Sequence, residues 1–348
     1  MNKINIIYLN NTEKFASGGS KIIYDHSRII NTYYLKKFNS EILHIKKKKV
    51  SKYINSLTKR FFKSKDYGWK FSDICASKNF KGKLSKDDIK FKNSLNFNYQ
   101  KDFIIIPEIY AHFAEDLCIK NRIKYAIICL NGYSINFTSD YNKLLRCYNG
   151  AEFILSISNN TTQCIQTIFP KYKKKIIKIN LSCGIKYKNI KKKNIITYMP
   201  RKLSDHSSKL LFFLKPNLPK NWKIIELSNN MTTEEVYQWL SKSKIFLSFS
   251  DMEGLGLPPI EAAISGNKVI GYTGEGGREY WKKPIFQEIP KGNIILFTKT
   301  ILKNLDIVNN NWLKKNKNLR DAISEQYSHD KQLSFLNLIL KKIYNIYK

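Results

Sequence analysis

Short runs of β-branched residues alternate with helix-like segments along most of the chain. In the first half, six runs predict strands: INIIYL, SEILHI, FIII, YAIICL, EFILSIS and KIIKINL. In the second half, five more do so: NIITYM, WKIIEL, KIFLSFS, NKVIGYT and NIILF. Helical segments such as SKIIYDHSRIINTYYL and NTTQCIQTIF lie between them, and Thr232 with Glu235 predicts a capping box. Because strands joined by crossover helices form parallel sheets, the chain is predicted to be α/β with two Rossmann-like halves.

A lysine-rich stretch without apolar periodicity, Gly184 to Asn194, separates the two sets of strands. We therefore predict an N-terminal domain over residues 1–184 and a C-terminal domain over residues 194–306. Residues 307–348 are predicted to form helices that pack back across both domains. Residues 46–102 fit the alternation least and are predicted to be an elaborated basic insertion of the first domain.

The chain is strongly basic. Its 61 Lys and Arg residues against 27 Asp and Glu give a formal charge of +34. Such a charge attracts phosphates, anionic lipid headgroups or nucleic acid. Because the lysines are spread over nearly every segment together with abundant Asn and Ile, a bias towards AT-rich codons would produce the same excess. The charge alone therefore leaves both interpretations open.

The cysteines indicate the compartment. None forms a C-x-x-C pair and most lie inside apolar runs, which predicts buried free thiols and a reducing cytoplasm. No window approaches the roughly 20 apolar residues that span a bilayer, so any membrane contact is expected to be peripheral. The six cysteines are Cys75, Cys118, Cys129, Cys147, Cys164 and Cys183.

One stretch of the second half, SFSDMEGLGLPPIEAAISG (residues 248–266), combines acids, glycines and prolines. It predicts a strand followed by a helix, whose first turn tolerates Pro258 and Pro259 because its N–H groups lack intrahelical partners. The link is then a loop at the carboxyl end of a strand, where open α/β sheets bind ligands. Gly254 and Gly256 allow close backbone approach, so N–H groups at the helix start can bind an anion.

Two carboxylates flank this predicted anion site, Glu253 in the loop and Glu261 in the first turns of the helix. A carboxylate beside a phosphate is unfavourable unless it faces other groups, most simply hydroxyls. We therefore expect the two acids to accept hydrogen bonds from two polyhydroxylated parts of one ligand, with phosphates between them. That ligand has the composition of a nucleotide sugar.

The segment EGLGLPPIE resembles the E-x7-E signature of retaining GT-B glycosyltransferases of the family-4 type. The resemblance implies the GT-B architecture, two Rossmann-like domains facing across a cleft. It also implies that Glu253 and the loop amides contact the donor sugar and phosphate, while Glu261 binds the ribose. The donor-binding residues that it implies are Gly18, Gly19, Gly254, Leu255, Gly256, Leu257 and Glu261.

Two further stretches fit the same resemblance. SGGSK supplies Gly18 and Gly19, similar to the family's N-domain Gly-Gly loop at the donor diphosphate, although a glycine pair by itself indicates only a turn. ITYMPRK offers Arg201 and Lys202, which resemble the basic pair that neutralises the leaving diphosphate. Lys209 is a rival for the role of Lys202. The predicted catalytic residues are thus Glu253, Arg201 and Lys202.

The remaining candidates lie at strand ends. Gly276 and Gly277 in TGEGGREYW either add to the donor pocket or cap a helix. In the first domain, IIPEIYAHF and CLNGYSINF are expected to end strands on one rim of the cleft. Their polar residues are candidates to contact the donor sugar or the acceptor: Glu108, His112, Asn131 and Tyr133. For His112 and Tyr133, helix capping and turn formation are the alternative.

The chemistry that the resemblance implies is hexosyl transfer with retention, by front-face attack of an acceptor hydroxyl and without a protein nucleophile. Fixed cations and helix N-termini can stabilise the departing diphosphate, so neither a metal nor a cofactor is expected. The lack of a D-x-D triplet argues against the metal-dependent GT-A class. The expected acceptor is a glycan or lipid-linked glycan in surface polysaccharide or glycoconjugate synthesis. A nucleotide-sugar epimerase of the same fold is the alternative; a nucleic-acid-binding protein would explain the charge but not EGLGLPPIE.

A basic amphipathic stretch of the first domain points to a second location, the surface of a membrane. VSKYINSLTKRFFK (residues 50–63) places apolar residues at helical spacing among lysines, a pattern typical of a basic helix on an anionic membrane. A core helix of the first domain has the same amphipathicity, and we favour that interpretation. The membrane alternative predicts a peripheral enzyme.

Overall fold

The computed structural model of the chain describes residues 3–11, 18–45, 90–91, 96–137, 140–200, 202–228 and 231–348. It divides into two compact units. The first consists of Met1–Ile179 together with Leu333–Lys348, and the second consists of Asn180–Gln332. The lysine-rich stretch that was predicted as the junction lies just inside the second unit, and the end of the chain belongs to the first.

The first unit is built on a seven-stranded sheet in which every pairing is parallel. All six predicted strands are confirmed, and the order is β3-β2-β1-β4-β5-β6-β7. The insertion contributes the short edge strand β3, which pairs with β2. The strands are β1 Ile4–Asn11, β2 Phe38–Ile45, β3 Lys90–Phe91, β4 Asp102–Pro107, β5 Lys124–Cys129, β6 Ile154–Ser156 and β7 Ile176–Lys178.

Four described α-helices belong to this unit, the last of them from Leu333 onwards, and two of them begin at residues with the expected capping chemistry. The Asp140 side chain accepts a hydrogen bond from the Lys143 N–H, and the Ser158 hydroxyl accepts one from the Thr161 N–H. Each cap satisfies a backbone donor that the first helical turn leaves without a partner. The helices are α1 Gly18–Tyr33, α2 Tyr141–Gly150, α3 Asn159–Ile168 and, from the end of the chain, α10 His329–Ile346.

The second unit has a five-stranded parallel sheet in the order β12-β11-β10-β8-β9, which places β10 at its centre. Four of the five strands predicted for this half are confirmed. The capping box of Thr232 and Glu235 is also confirmed, at the start of the helix that precedes β10. The strands are β8 Lys193–Tyr198, β9 Lys223–Glu226, β10 Ser243–Glu253, β11 Lys268–Glu275 and β12 Phe286–Glu288.

The prediction of a strand at NIILF is wrong. The Asn293 side chain accepts a hydrogen bond from the Leu296 N–H and starts a helix, Ile294–Asn304. Phe297 and Ile301 then lie one turn apart on its buried face, so the apolar residues follow helical rather than strand periodicity. The fifth strand is β12 instead, a three-residue edge strand too short to show a period.

Six α-helices lie among the described residues of the second unit, and the predicted helical character after Asp306 is confirmed. They are α4 Ser204–Leu214, α5 Thr233–Lys242, α6 Leu257–Ile264, α7 Ile294–Asn304, α8 Asn310–Lys315 and α9 Lys317–Gln326. No helix among the described residues is both long and apolar enough to cross a membrane. Four of the described cysteines are buried thiols and Cys164 is partly exposed. The predicted basic helix at residues 50–63 and Cys75 lie outside the described residues.

Candidate functional site

The stretch EGLGLPPIE forms the predicted strand, loop and helix. The central strand β10 ends at Glu253, which pairs with Glu275 of β11 after an irregularity in the register. Gly256 precedes α6 with φ +79°, a left-handed conformation that glycine adopts without steric cost. Pro258 and Pro259 lie in the first turn of α6, as predicted. The positive end of the α6 dipole therefore faces the loop at the carboxyl end of the central strand.

The loop is held in place from behind by the turn that follows β11. A Cβ atom added at Gly276 would lie 2.2 Å from the Gly254 carbonyl oxygen, so only glycine permits this approach. The buried Tyr280 hydroxyl donates to the carbonyls of Leu255, at 3.1 Å, and Gly256, at 2.7 Å. Burial raises the pKa of Tyr280 well above its usual value, which keeps the hydroxyl protonated as a donor. Two backbone carbonyls of the loop are thereby fixed towards the protein interior.

Glu261 points from α6 into a nearly closed environment. It is 8% exposed, and one carboxylate oxygen accepts a hydrogen bond from the Tyr237 hydroxyl of α5 at 3.1 Å. A buried carboxylate is stable only where donors surround it. Glu261 is therefore suited to accept hydrogen bonds from a polar ligand that closes over it.

Of the predicted diphosphate ligands, Lys202 lies beside the end of β10, where the glycine loop begins. Its ammonium lies 3.0 Å from the Glu253 carboxylate and 3.4 Å from the Asp251 carbonyl oxygen. The rival Lys209 instead pairs with Asp205 one turn earlier in α4, at 2.7 Å. Arg201 lies outside the described residues. The structure thus puts one cation beside Glu253, while the assignment of both cations to a diphosphate stays a prediction.

A buried lysine that the sequence did not single out supports the same helices. The Lys192 ammonium donates to the carbonyl of Leu240, in the last turn of α5, and to that of Ser265, just after α6. Burial is the larger cause and repulsion from the Arg320 charge the smaller one of a lowered Lys192 pKa, which is about 7. With 61 basic residues in the chain, no local pattern distinguishes this lysine from the solvated ones.

In the first unit, the predicted Gly-Gly pair opens α1. Gly18 is exposed and Gly19 is partly buried, with Leu130 3.1 Å from the position of an added Cβ atom. The Glu108 carboxylate is buried and accepts hydrogen bonds from the N–H groups of Leu130, at 2.9 Å, and Asn131, at 3.0 Å. Both of its oxygens therefore hold the chain that follows β5.

The other three candidates of this unit have protein partners as well. His112 is buried against Phe113, with ring centroids 4.1 Å apart, and burial lowers its pKa to about 4. The Asn131 side chain accepts a hydrogen bond from the Tyr133 N–H, as in a turn. Tyr133 is exposed and its hydroxyl accepts a hydrogen bond from the Asn160 side chain. A contact of these residues with sugar or acceptor stays a prediction.

Glu108 gives a pH-dependent prediction. Burial raises its pKa to about 7, against the opposing effect of the backbone N–H groups. A carboxyl group whose pKa is higher in the folded state stabilises the fold below its unfolded pKa and loses that contribution as pH rises through 7. We expect wild-type stability to fall between pH 5 and pH 8 by up to about 3 kcal/mol from this group. Urea unfolding should show a smaller decline for Glu108→Gln, and an equal decline in both proteins would contradict the assignment.

Comparison with known proteins supports the fold that these elements describe. No protein-family profile matches the chain. An α-1,6-glucosyltransferase of Actinobacillus pleuropneumoniae is 34% identical over 79 residues, which are 22% of this chain and 24% of that protein. The chain thus matches about a quarter of the length of this curated relative.

Two solved structures are similar over almost the whole chain. The lipopolysaccharide outer core galactosyltransferase WaaB superposes with a TM-score of 0.62 at 14% identity, covering 97% of this chain and 100% of that one. The pneumococcal O-GlcNAc transferase GtfA, in complex with UDP and GlcNAc, gives 0.63 at 13% identity, covering 99% and 100%. Together with the two parallel-sheet units, these similarities establish that the chain has the GT-B glycosyltransferase fold.

Proposed function

We propose that this chain is a glycosyltransferase that moves a sugar from a nucleotide-diphosphate sugar to an acceptor hydroxyl. The observation that carries the proposal is the arrangement in the second unit of Glu253, the glycine loop and Glu261 around the N-terminus of α6. The UDP and GlcNAc bound by GtfA, and the glucosyltransferase name of the partial relative, support a UDP-sugar as donor and a hexose as the transferred group.

The donor would be held by groups of three kinds. Glu261 accepts hydrogen bonds from the ribose, and the glycine loop at the start of α6 receives the diphosphate, where the helix dipole favours negative charge. Glu253 accepts hydrogen bonds from hydroxyls of the sugar. Lys202, 3.0 Å from Glu253, and Arg201 beside it in sequence supply positive charge for the diphosphate.

The reaction breaks the bond between the sugar and the diphosphate, so negative charge grows on the leaving group. Lys202, Arg201 and the α6 dipole stabilise that charge, so this step needs no metal ion. The acceptor hydroxyl attacks from the same face as the leaving phosphate, which takes the proton, and the configuration at the sugar is retained.

Because protein cations stabilise the leaving group, sugar transfer should continue in the presence of EDTA. Because the configuration is retained, NMR of the product should show the same anomeric configuration as in the donor.

A glycan or glycolipid of surface polysaccharide synthesis fits the transfer chemistry, and the net charge of +34 fits an acceptor that is presented at an anionic membrane surface. An epimerase of this fold would convert the nucleotide sugar without an acceptor. Consumption of the nucleotide sugar only when an acceptor is added therefore indicates transfer, whereas its conversion without an acceptor indicates epimerisation.

Glu261→Ala tests the nucleotide site directly. Loss of charge-assisted hydrogen bonds to the ribose should weaken UDP binding by about 1–3 kcal/mol, or roughly 5- to 150-fold. Isothermal titration calorimetry measures the change. Glu325→Ala, which removes an exposed carboxylate of α9, is the matched control and should bind UDP as the wild type does. Equal affinity of a folded Glu261→Ala protein and the wild type would contradict the ribose assignment.

A further inference from the structure

Tyr237 lies outside the EGLGLPPIE stretch but contacts its second acid. Its hydroxyl, on α5, donates to Oε1 of Glu261, on α6, at 3.1 Å. Phenols are protonated at neutral pH, so Tyr237 serves the carboxylate as a donor. This hydrogen bond connects α5 to α6 through Glu261, the side chain that is proposed to bind the ribose.

The hydrogen bond fixes the direction of the other carboxylate oxygen. A carboxylate offers two oxygens with about four acceptor positions, and an unrestrained Glu side chain populates several rotamers. With Oε1 bound to Tyr237, rotation of the carboxylate about its terminal bond is restricted and Oε2 keeps one orientation. A ligand hydroxyl then meets an acceptor that is already aligned, and less conformational entropy is lost on binding.

The two helices are also fixed to each other at their carboxyl-terminal ends. Lys192 donates to the carbonyls of Leu240, at 3.1 Å, and Ser265, at 2.6 Å. The Asn267 side chain donates to the Leu240 carbonyl at 2.8 Å and to the Ala262 carbonyl at 3.0 Å. Because these buried contacts hold α5 against α6, the backbone segments that carry Tyr237 and Glu261 are kept close to each other.

We propose that Tyr237 is a positioning residue that determines how strongly the nucleotide site discriminates ribose from deoxyribose. The inference rests on the proposed function, since it takes Glu261 as the acceptor of ribose hydroxyls. It adds a residue from another helix, which acts through Glu261 and need not touch the ligand.

The test compares UDP with 2′-deoxy-UDP and 3′-deoxy-UDP by calorimetry. One of the two analogues lacks the ribose hydroxyl that donates a hydrogen bond to Glu261. The wild type should bind this analogue about tenfold more weakly than UDP, and this ratio of dissociation constants measures the discrimination. For Tyr237→Phe, this ratio should fall to about threefold or less, because a carboxylate free to rotate gains less from the hydroxyl. In a Glu261→Ala background, Tyr237→Phe should leave the ratio unchanged.

Tyr198→Phe is the matched control. Its hydroxyl also donates to a carboxylate of the same unit, Glu226, at 2.8 Å, so the variant makes the same chemical change away from Glu261. It should keep the wild-type ratio. A ratio that is unchanged or larger in Tyr237→Phe overturns the inference, because a merely structural effect weakens the binding of all three nucleotides equally. That outcome leaves the proposed function standing. If the wild type binds none of the three, the proposed function and the inference both fail.

Discussion

Replacement of Glu253 by Gln should lower sugar transfer by about 100- to 1,000-fold while UDP affinity changes little. The carboxylate ends the central strand of the second sheet and lies 3.0 Å from the Lys202 ammonium. Gln keeps the shape of the side chain but removes the charge that orients Lys202 and accepts hydrogen bonds from the sugar. Because UDP carries no donor sugar, its binding does not report on that contact, whereas turnover does. Single-turnover transfer and calorimetry with UDP measure the two effects separately.

Glu288→Gln is the control for the Glu253 variant. Glu288 also ends a strand, β12, and also pairs with a cation, Arg278, at 2.9 Å. This variant therefore makes the same change at a strand end on the edge of the sheet, and transfer should stay within about threefold of wild type because exposed ion pairs contribute little. Equal loss of transfer and of UDP affinity in Glu253→Gln would show that Glu253 serves nucleotide binding, and its assignment to the sugar would be wrong.

The elements around Glu253 could be predicted because their signals are local. A β-branched run, two glycines and two prolines within a few residues determine a strand, a loop and a helix start, whatever surrounds them. The strand β12 and the helix α7 could not be assigned in the same way. An apolar run as short as NIILF suits either period, and the deciding contacts are the Asn293 cap and the burial of Phe297 and Ile301.

The supporting residues of the site were missed because their roles come from tertiary contacts. Tyr237, Tyr280 and Lys192 reach the loop or its helix from other elements, and no sequence pattern assigns these side chains their contacts. Glu108 combines both situations. Its position after a strand predicts a ligand contact, which stays a prediction, whereas the two backbone hydrogen bonds that its carboxylate accepts could not be read from any sequence spacing.

Gly276→Ala should destabilise the second unit and disable transfer together. The added Cβ atom would lie 2.2 Å from the Gly254 carbonyl oxygen and 2.5 Å from that of Glu253. Both contacts are with backbone, so no side chain can rotate away and the loop must move by about 1 Å. Overpacking of this kind costs about 1–3 kcal/mol, and a displacement of about 1 Å in a positioned group can reduce catalysis about 100-fold.

The expected result is a lower thermal midpoint for Gly276→Ala, by roughly 2–4 °C per kcal/mol, with transfer reduced about 100-fold. Gly292→Ala separates the clash from a general effect of losing a glycine. Gly292 has φ +85° but open space around an added Cβ atom, so this variant incurs only backbone strain of about 1–2 kcal/mol. If Gly292→Ala lowers the thermal midpoint while transfer stays near wild type, lost stability alone does not explain the Gly276 result. Normal transfer by Gly276→Ala would show instead that donor chemistry tolerates a displaced loop, and the positioning of Glu253 by this turn would be excluded.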